Sequence, residues 1–99
     1  MFSLGETDKY YLYSSACDMR KGFDTLPGIV ASVMRHDPAS GEVFIFLSRS
    51  RRTLKLLHWE SGGYVIYHKR LEKGQFSRPH YDEKTGCYRL KWVELVMMT

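Results

Sequence analysis

From Val43 to Ser48 the chain reads Val-Phe-Ile-Phe-Leu-Ser, apolar at every position but the last and bounded by charged and turn-forming residues. Such a run predicts a strand, and because successive side chains point to opposite sides, apolar residues at every position predict burial on both faces. It belongs in the middle of a sheet. Leu54 to Glu60 and Tyr64 to Leu71 predict two further strands joined through Ser61-Gly62-Gly63, where glycine permits the positive φ of a tight hairpin. With Gly62-Gly63 as the loop, Trp59 would face Ile66, Leu57 would face His68, and Lys55 would face Arg70.

Tyr10 to Ser14 is short and aromatic and predicts a first strand. From Phe23 the period changes, for Leu26, Ile29, Val30, Val33 and Met34 fall on one face at helical spacing, which predicts a helix from Asp24 or Thr25 to Arg35. Pro27 fits its first turn, and Asp18 is an alternative cap for an earlier start. Asp37-Pro38-Ala39-Ser40-Gly41 ends the helix and turns the chain into the central strand. Further on, Glu72 to Pro79 reads as a loop, Tyr81 to Gly86 as a turn and Cys87 to Leu90 as a short strand. Trp92 to Met98 begins an apolar helix that the end of the chain cuts short, and Met1 to Lys9 is an aperiodic tail expected to be mobile.

The expected fold is therefore α+β, a single small domain with an antiparallel sheet (Tyr10–Ser14, Val43–Ser48, Leu54–Glu60, Tyr64–Arg70), the main helix on one face and a short C-terminal helix. One helix covers one face of a strand that is apolar on both. The short helix from Trp92 to Met98 is the first candidate to cover the rest, and self-association or a partner surface is expected for what it leaves exposed.

The length of 99 residues fits one domain. Charge is unevenly spread, with four basic residues against six acids through Ser48 and eleven against five from Arg49 onward. The basic half makes nucleic acid the first partner class to consider. Cys17 and Cys87 have no metal-binding or redox spacing, and the chain has neither a signal-peptide pattern nor an eighteen-residue apolar span. A cytoplasmic protein with reduced, packed thiols and no membrane association is expected.

Three groups of residues carry a more specific signal. Asp18-Met19-Arg20-Lys21-Gly22-Phe23-Asp24 is followed by Asp37-Pro38, Ser40-Gly41 and Val43-Phe44-Ile45-Phe46, then by Leu56-Leu57, Trp59 and Gly63 with Lys69-Arg70-Leu71-Glu72, Gly74 and Phe76. In order and spacing, over about Tyr10 to Leu95, this series resembles the TnpB accessory proteins of the insertion-sequence-sixty-six family of bacterial transposable elements, which are unrelated to the RNA-guided nucleases that share the name. The resemblance implies a small protein encoded beside a transposase that assists movement of the element, and it implies no defined chemistry.

The residues supply the candidate chemistry. Arg20 and Lys21 precede a helix start, where outward N–H groups favour a phosphate, although Asp18 capping with solvated cations accounts for the same residues. Arg49, Arg51 and Arg52, with Lys55 beside them and Lys69, Arg70 and Lys73 across the hairpin, form a candidate patch for DNA phosphates. Trp59 and Tyr67 could stack on bases, but hairpin packing explains them as well. His58 and His68 would meet across the hairpin in a shifted register, and Asp18, Asp24 and Asp37 could be read as a two-metal cluster; neither set has convincing metal spacing, so no metal or cofactor is expected. The leading expectation is a non-enzymatic transposition factor that binds DNA, assembles with the transposase, or both. A pure protein-interaction adaptor is the alternative, and a small nuclease comes third.

Overall fold

The computed structural model describes residues 9–76, 81–82 and 87–90. The tail over Met1 to Asp8, the loop from Ser77 to Pro79 and the helix expected from Trp92 to Met98 lie outside the described residues. The strands are β1 (Tyr10–Leu12), β2 (Val43–Leu47), β3 (Thr53–Glu60), β4 (Gly63–Arg70), β5 (Tyr81–Asp82) and β6 (Cys87–Leu90), and they form one sheet in the order β4-β3-β2-β1-β6-β5. β5 falls where a turn was expected, paired with β6.

β2 is an interior strand with every residue buried, as its uninterrupted apolar run requires. The sheet is mixed, however, and not antiparallel throughout, because β1 pairs with β2 in parallel. The reason lies in the connection. A helix between two strands carries the chain back along the sheet face, so the next strand starts at the same end as the first and runs the same way. The order strand, helix, strand was legible between Tyr10 and Leu47, and it is the signal that the antiparallel expectation overlooked.

The helix, α1, begins as an α-helical turn at Leu26–Ile29 and continues directly as a π-helix over Val30–Met34. Pro27 lies in its first turn, as expected, whereas Thr25 at the cap position makes no side-chain bond. The wider π winding, with more than four residues per turn, changes which residues share a face. Leu26, Val30 and Met34 are buried, while Val33, expected on the same stripe, is 56% exposed. Arg35 closes the helix in the left-handed conformation, and the His36 N–H donates to the Val30 carbonyl.

Alternation along the strands divides the core in two. Phe44, Phe46, Tyr11 and Leu57 face α1 together with Cys17, while Val43, Ile45, Leu47, Tyr10, Leu12, Leu54 and Leu56 pack on the opposite face with Phe76. Val43, Ile45, Phe44 and Phe46 are all 0% exposed. Both faces of β2 are therefore buried within the single chain, and the bare sheet face that motivated the expectation of self-association is not found on this strand.

The β3–β4 hairpin closes through Ser61-Gly62, not Gly62-Gly63, so that Glu60 pairs with Gly63, Trp59 with Tyr64 and Leu57 with Ile66. Ser61 has φ 53° and Gly62 φ 82°, the two successive left-handed residues that a turn matched to strand twist needs. Each partner moves by two positions from the expected register, which preserves the face of every side chain. A Cβ at Gly62 would meet nothing within 4 Å, so Gly62→Ala tests torsion alone. It is expected to destabilise the domain by about 1–2 kcal/mol, read from the urea midpoint.

Candidate nucleic-acid interface

β2 and β4 each pair antiparallel with β3, and β1 is parallel to β2, so β1, β2 and β4 all point the same way. The segments that follow them leave the sheet at one end. These segments are the link bearing Arg20 and Lys21, the loop bearing Arg49, Arg51 and Arg52, and the turn bearing Lys73. β3 starts at this end, with Lys55 near its first residue, and β4 finishes there with Lys69 and Arg70. Candidate cations spread over more than fifty positions of sequence are thus gathered at the carboxyl ends of parallel strands, the edge at which open sheets with crossover helices place their binding sites.

Specific contacts hold the three segments together. The Lys55 Nζ donates to the Lys21 carbonyl at 2.8 Å, which fixes the Asp18–Lys21 link over the helix-side face. The Cys17 N–H donates to the Leu47 carbonyl at 2.8 Å, the Leu71 N–H to the Arg52 carbonyl at 2.8 Å and the Phe76 N–H to the Arg51 carbonyl at 2.7 Å. Side chains reinforce this seam: Arg52 donates through Nη2 to the carbonyls of Glu72 at 2.8 Å and Leu71 at 3.4 Å, and the Gln75 amide donates to the Ser50 carbonyl at 2.8 Å. Arg51 lies at the edge of hydrogen-bond distance from Gln75, 3.5 Å. Arg51, Arg52 and Lys55 are therefore structural fasteners as well as positive charges, a role the sequence pattern did not reveal.

Arg20 is also committed. The Asp18 carboxylate accepts from the Arg20 backbone N–H at 2.9 Å and from its guanidinium at 2.7–3.1 Å, so Asp18 organises this turn and does not cap α1. Those guanidinium bonds, more than any other influence, hold the Asp18 carboxyl well below the usual carboxylate range. The sign follows: a depressed acid contributes stability above its unfolded value, about 4, and loses it as pH falls through the lower folded value. In an NMR titration the Asp18 carboxyl is expected to stay ionised at pH values where ordinary aspartates have protonated, and Arg20→Ala should bring its midpoint back up.

Among the described residues, none of Lys21, Arg49, Lys69, Arg70 and Lys73 forms an ion pair with a carboxylate. They remain as cations open to a ligand, and all but Lys21 are exposed. The faces differ: Arg70 pairs with Thr53 on the helix side, whereas Lys69 pairs with Leu54 on the other. On the helix side, Met19, Thr53, His68 and Arg70 line an open groove of about 360 Å³. Met19 and His68 were not assigned to this site from sequence; the alternate placing of His68 and Arg70 along β4 was the available signal.

The other candidates separate. His58 pairs with Val65 and His68 with Lys55, on opposite faces, and among the described residues no cluster of His, Cys, Asp and Glu could hold a metal ion. Asp37 lies before β2, at the far end of the strand from Asp18, and accepts from the Ala39 N–H at 2.9 Å. Trp59 meets Tyr64 edge-on at 4.8 Å, and Tyr67 packs against the core on the face away from α1. Cys17 is buried, and desolvation pushes its thiol up, away from reactivity.

The sequence profile of IS66 Orf2-like proteins matches residues 8–99. The chain belongs to this family. Two proteins of Sinorhizobium fredii are similar to it: the uncharacterized protein y4hO, 32% identical over 79 residues, covering 80% of this chain and 69% of that protein, and the uncharacterized protein y4jC, 32% identical over 62 residues, covering 63% and 53%. No solved structure matches.

Membership makes this chain a transposition-associated accessory protein, and the structure explains the family-like motifs quoted above. In this Orf2-like chain, Asp18 to Asp24 is the link that crosses the basic end, and Asp37 to Gly41 is a self-bonded turn at the opposite end, with Gly41 at φ 90°. Lys69-Arg70-Leu71-Glu72 ends β4 and docks on the arginine loop. Among the described residues no helix is long and apolar enough to cross a membrane.

Proposed function

We propose that this Orf2-like protein is a non-enzymatic factor in transposition that binds DNA through the basic end of its sheet and presents that DNA to the transposase encoded beside it. The observation that carries this reading is the convergence of Lys21, Arg49, Arg70 and Lys73 at one sheet end without carboxylate partners among the described residues. Phosphate contacts of this kind position a protein on DNA with little sequence preference. The test is a titration against the element's terminal duplex and a scrambled duplex at several salt concentrations. Affinity that falls steeply with salt and alike for both duplexes supports the reading; the absence of duplex binding at low salt would refute it.

The adaptor reading has its own observation. Phe23 is 58% exposed beside α1 and Val33 is 56% exposed on it, the largest apolar groups left open among the described residues. Transposase capture that survives Phe23→Ser and Val33→Ser would count against contact through this helix.

A further inference from the structure

On the helix-side face of the hairpin, β4 presents Tyr64, Ile66, His68 and Arg70 in a row, backed on β3 by Trp59, Leu57, Lys55 and Thr53. β4 is the outermost strand at its edge of the sheet. Tyr64 and Ile66 are half-buried, and His68 and Arg70 are exposed. The row therefore opens progressively toward the basic end, where the groove bounded by Met19, Thr53, His68 and Arg70 lies.

The walls of this groove combine two chemistries. Arg70 supplies a cation, and Met19 comes from the Asp18–Lys21 link, in which Arg20 is already paired with Asp18 and Lys21 has no carboxylate partner among the described residues. Met19, partly buried against the helix-side core, supplies a thioether that has little to offer a phosphate, and His68 supplies a ring whose N–H can reach a phosphate and whose face suits the flat face of a base. In a duplex the base faces are covered by stacking, so the thioether and the ring face would gain nothing from it. An unpaired strand offers a base face and a phosphate at every step, the pairing of chemistries that single-strand binding surfaces match. A groove of about 360 Å³ lies within the volume range of small-molecule sites.

We infer that the groove holds an unpaired nucleotide of a DNA strand, its base between Met19 and His68 and its phosphate on Arg70, with the strand continuing along β4 toward Tyr64. This rests on the DNA-binding reading above and deepens it: the preferred ligand is a duplex with a single-stranded tail, not a blunt one.

The experiment compares one blunt duplex with the same duplex carrying a short thymidine tail, in which one position is 2-aminopurine. The tailed duplex is expected to bind about tenfold more tightly, since one stacked base contributes on that scale, with 2-aminopurine fluorescence quenched on binding. His68→Ala leaves an exposed position and should return the tailed-to-blunt ratio to about one. Salt-dependent binding of both duplexes with equal affinity and unchanged fluorescence overturns the groove assignment and leaves the DNA-binding reading standing. A tail preference that persists undiminished in His68→Ala also overturns it. No binding of either duplex would overturn both.

Discussion

Replacing Lys69, Arg70 and Lys73 together by Ala is expected to lower affinity for duplex DNA by roughly a hundredfold near 0.15 M salt and to flatten the log–log salt dependence by about three units, if each cation neutralises one phosphate. These are the informative positions because their side chains are exposed and form no ion pair among the described residues. Removing them changes the ligand surface and leaves the seam between the loops intact. Arg51 and Arg52 are a poorer choice. Arg52 holds the carbonyls of Leu71 and Glu72, so Arg51→Ala with Arg52→Ala would loosen the turn bearing Lys73, and lost affinity could reflect lost order. The control is the pair Lys9 and Arg35. The Lys9 carbonyl accepts from the Val43 N–H at the start of β2, and Arg35 ends α1 shortly before it, so both lie at the opposite end of the sheet. Their substitution should leave affinity and slope unchanged. Equal losses from the two sets would mean that net charge, not the basic end, governs binding.

Phe44→Ala is expected to cost about 3–5 kcal/mol, out of a total stability of about 5–15 kcal/mol for a domain of this kind. Phe44 is 0% exposed at the centre of the sheet, with its ring 6.0 Å from that of Tyr11 and edge-on to His36 at 5.7 Å. α1 lies over it, and truncation leaves a cavity that a sheet paired on both sides cannot close. Phe23→Ala removes the same ring from a site 58% exposed and is expected to cost less than about 0.5 kcal/mol. Urea denaturation of the two variants reads the difference directly. A cost below about 1 kcal/mol for Phe44→Ala would mean that this core is far looser than its burial implies.

The chain declares its elements through local regularities. The Val43–Leu47 run requires a strand buried on both faces, the spacing of Leu26, Val30 and Met34 requires a helix, and glycine beside Ser61 requires a tight turn. Each rests on the geometry of a few neighbouring residues, so sequence alone determined it, along with the family to which the chain belongs. What sequence left open depends on contacts between distant residues. The parallel pairing of β1 with β2 follows from a crossover spanning some thirty residues. The hairpin register places positive φ on Ser61 although Gly63 would tolerate it better, so local torsional preference did not decide it, and Val33 was turned outward by π winding that no local pattern marks. The basic residues were legible as a candidate patch, but which of them are held by other groups of the chain was not. A guanidinium looks the same in sequence whether it binds the carbonyls of Leu71 and Glu72, as Arg52 does, or stands open, as Arg70 does, because only the tertiary structure sets which acceptors lie within reach.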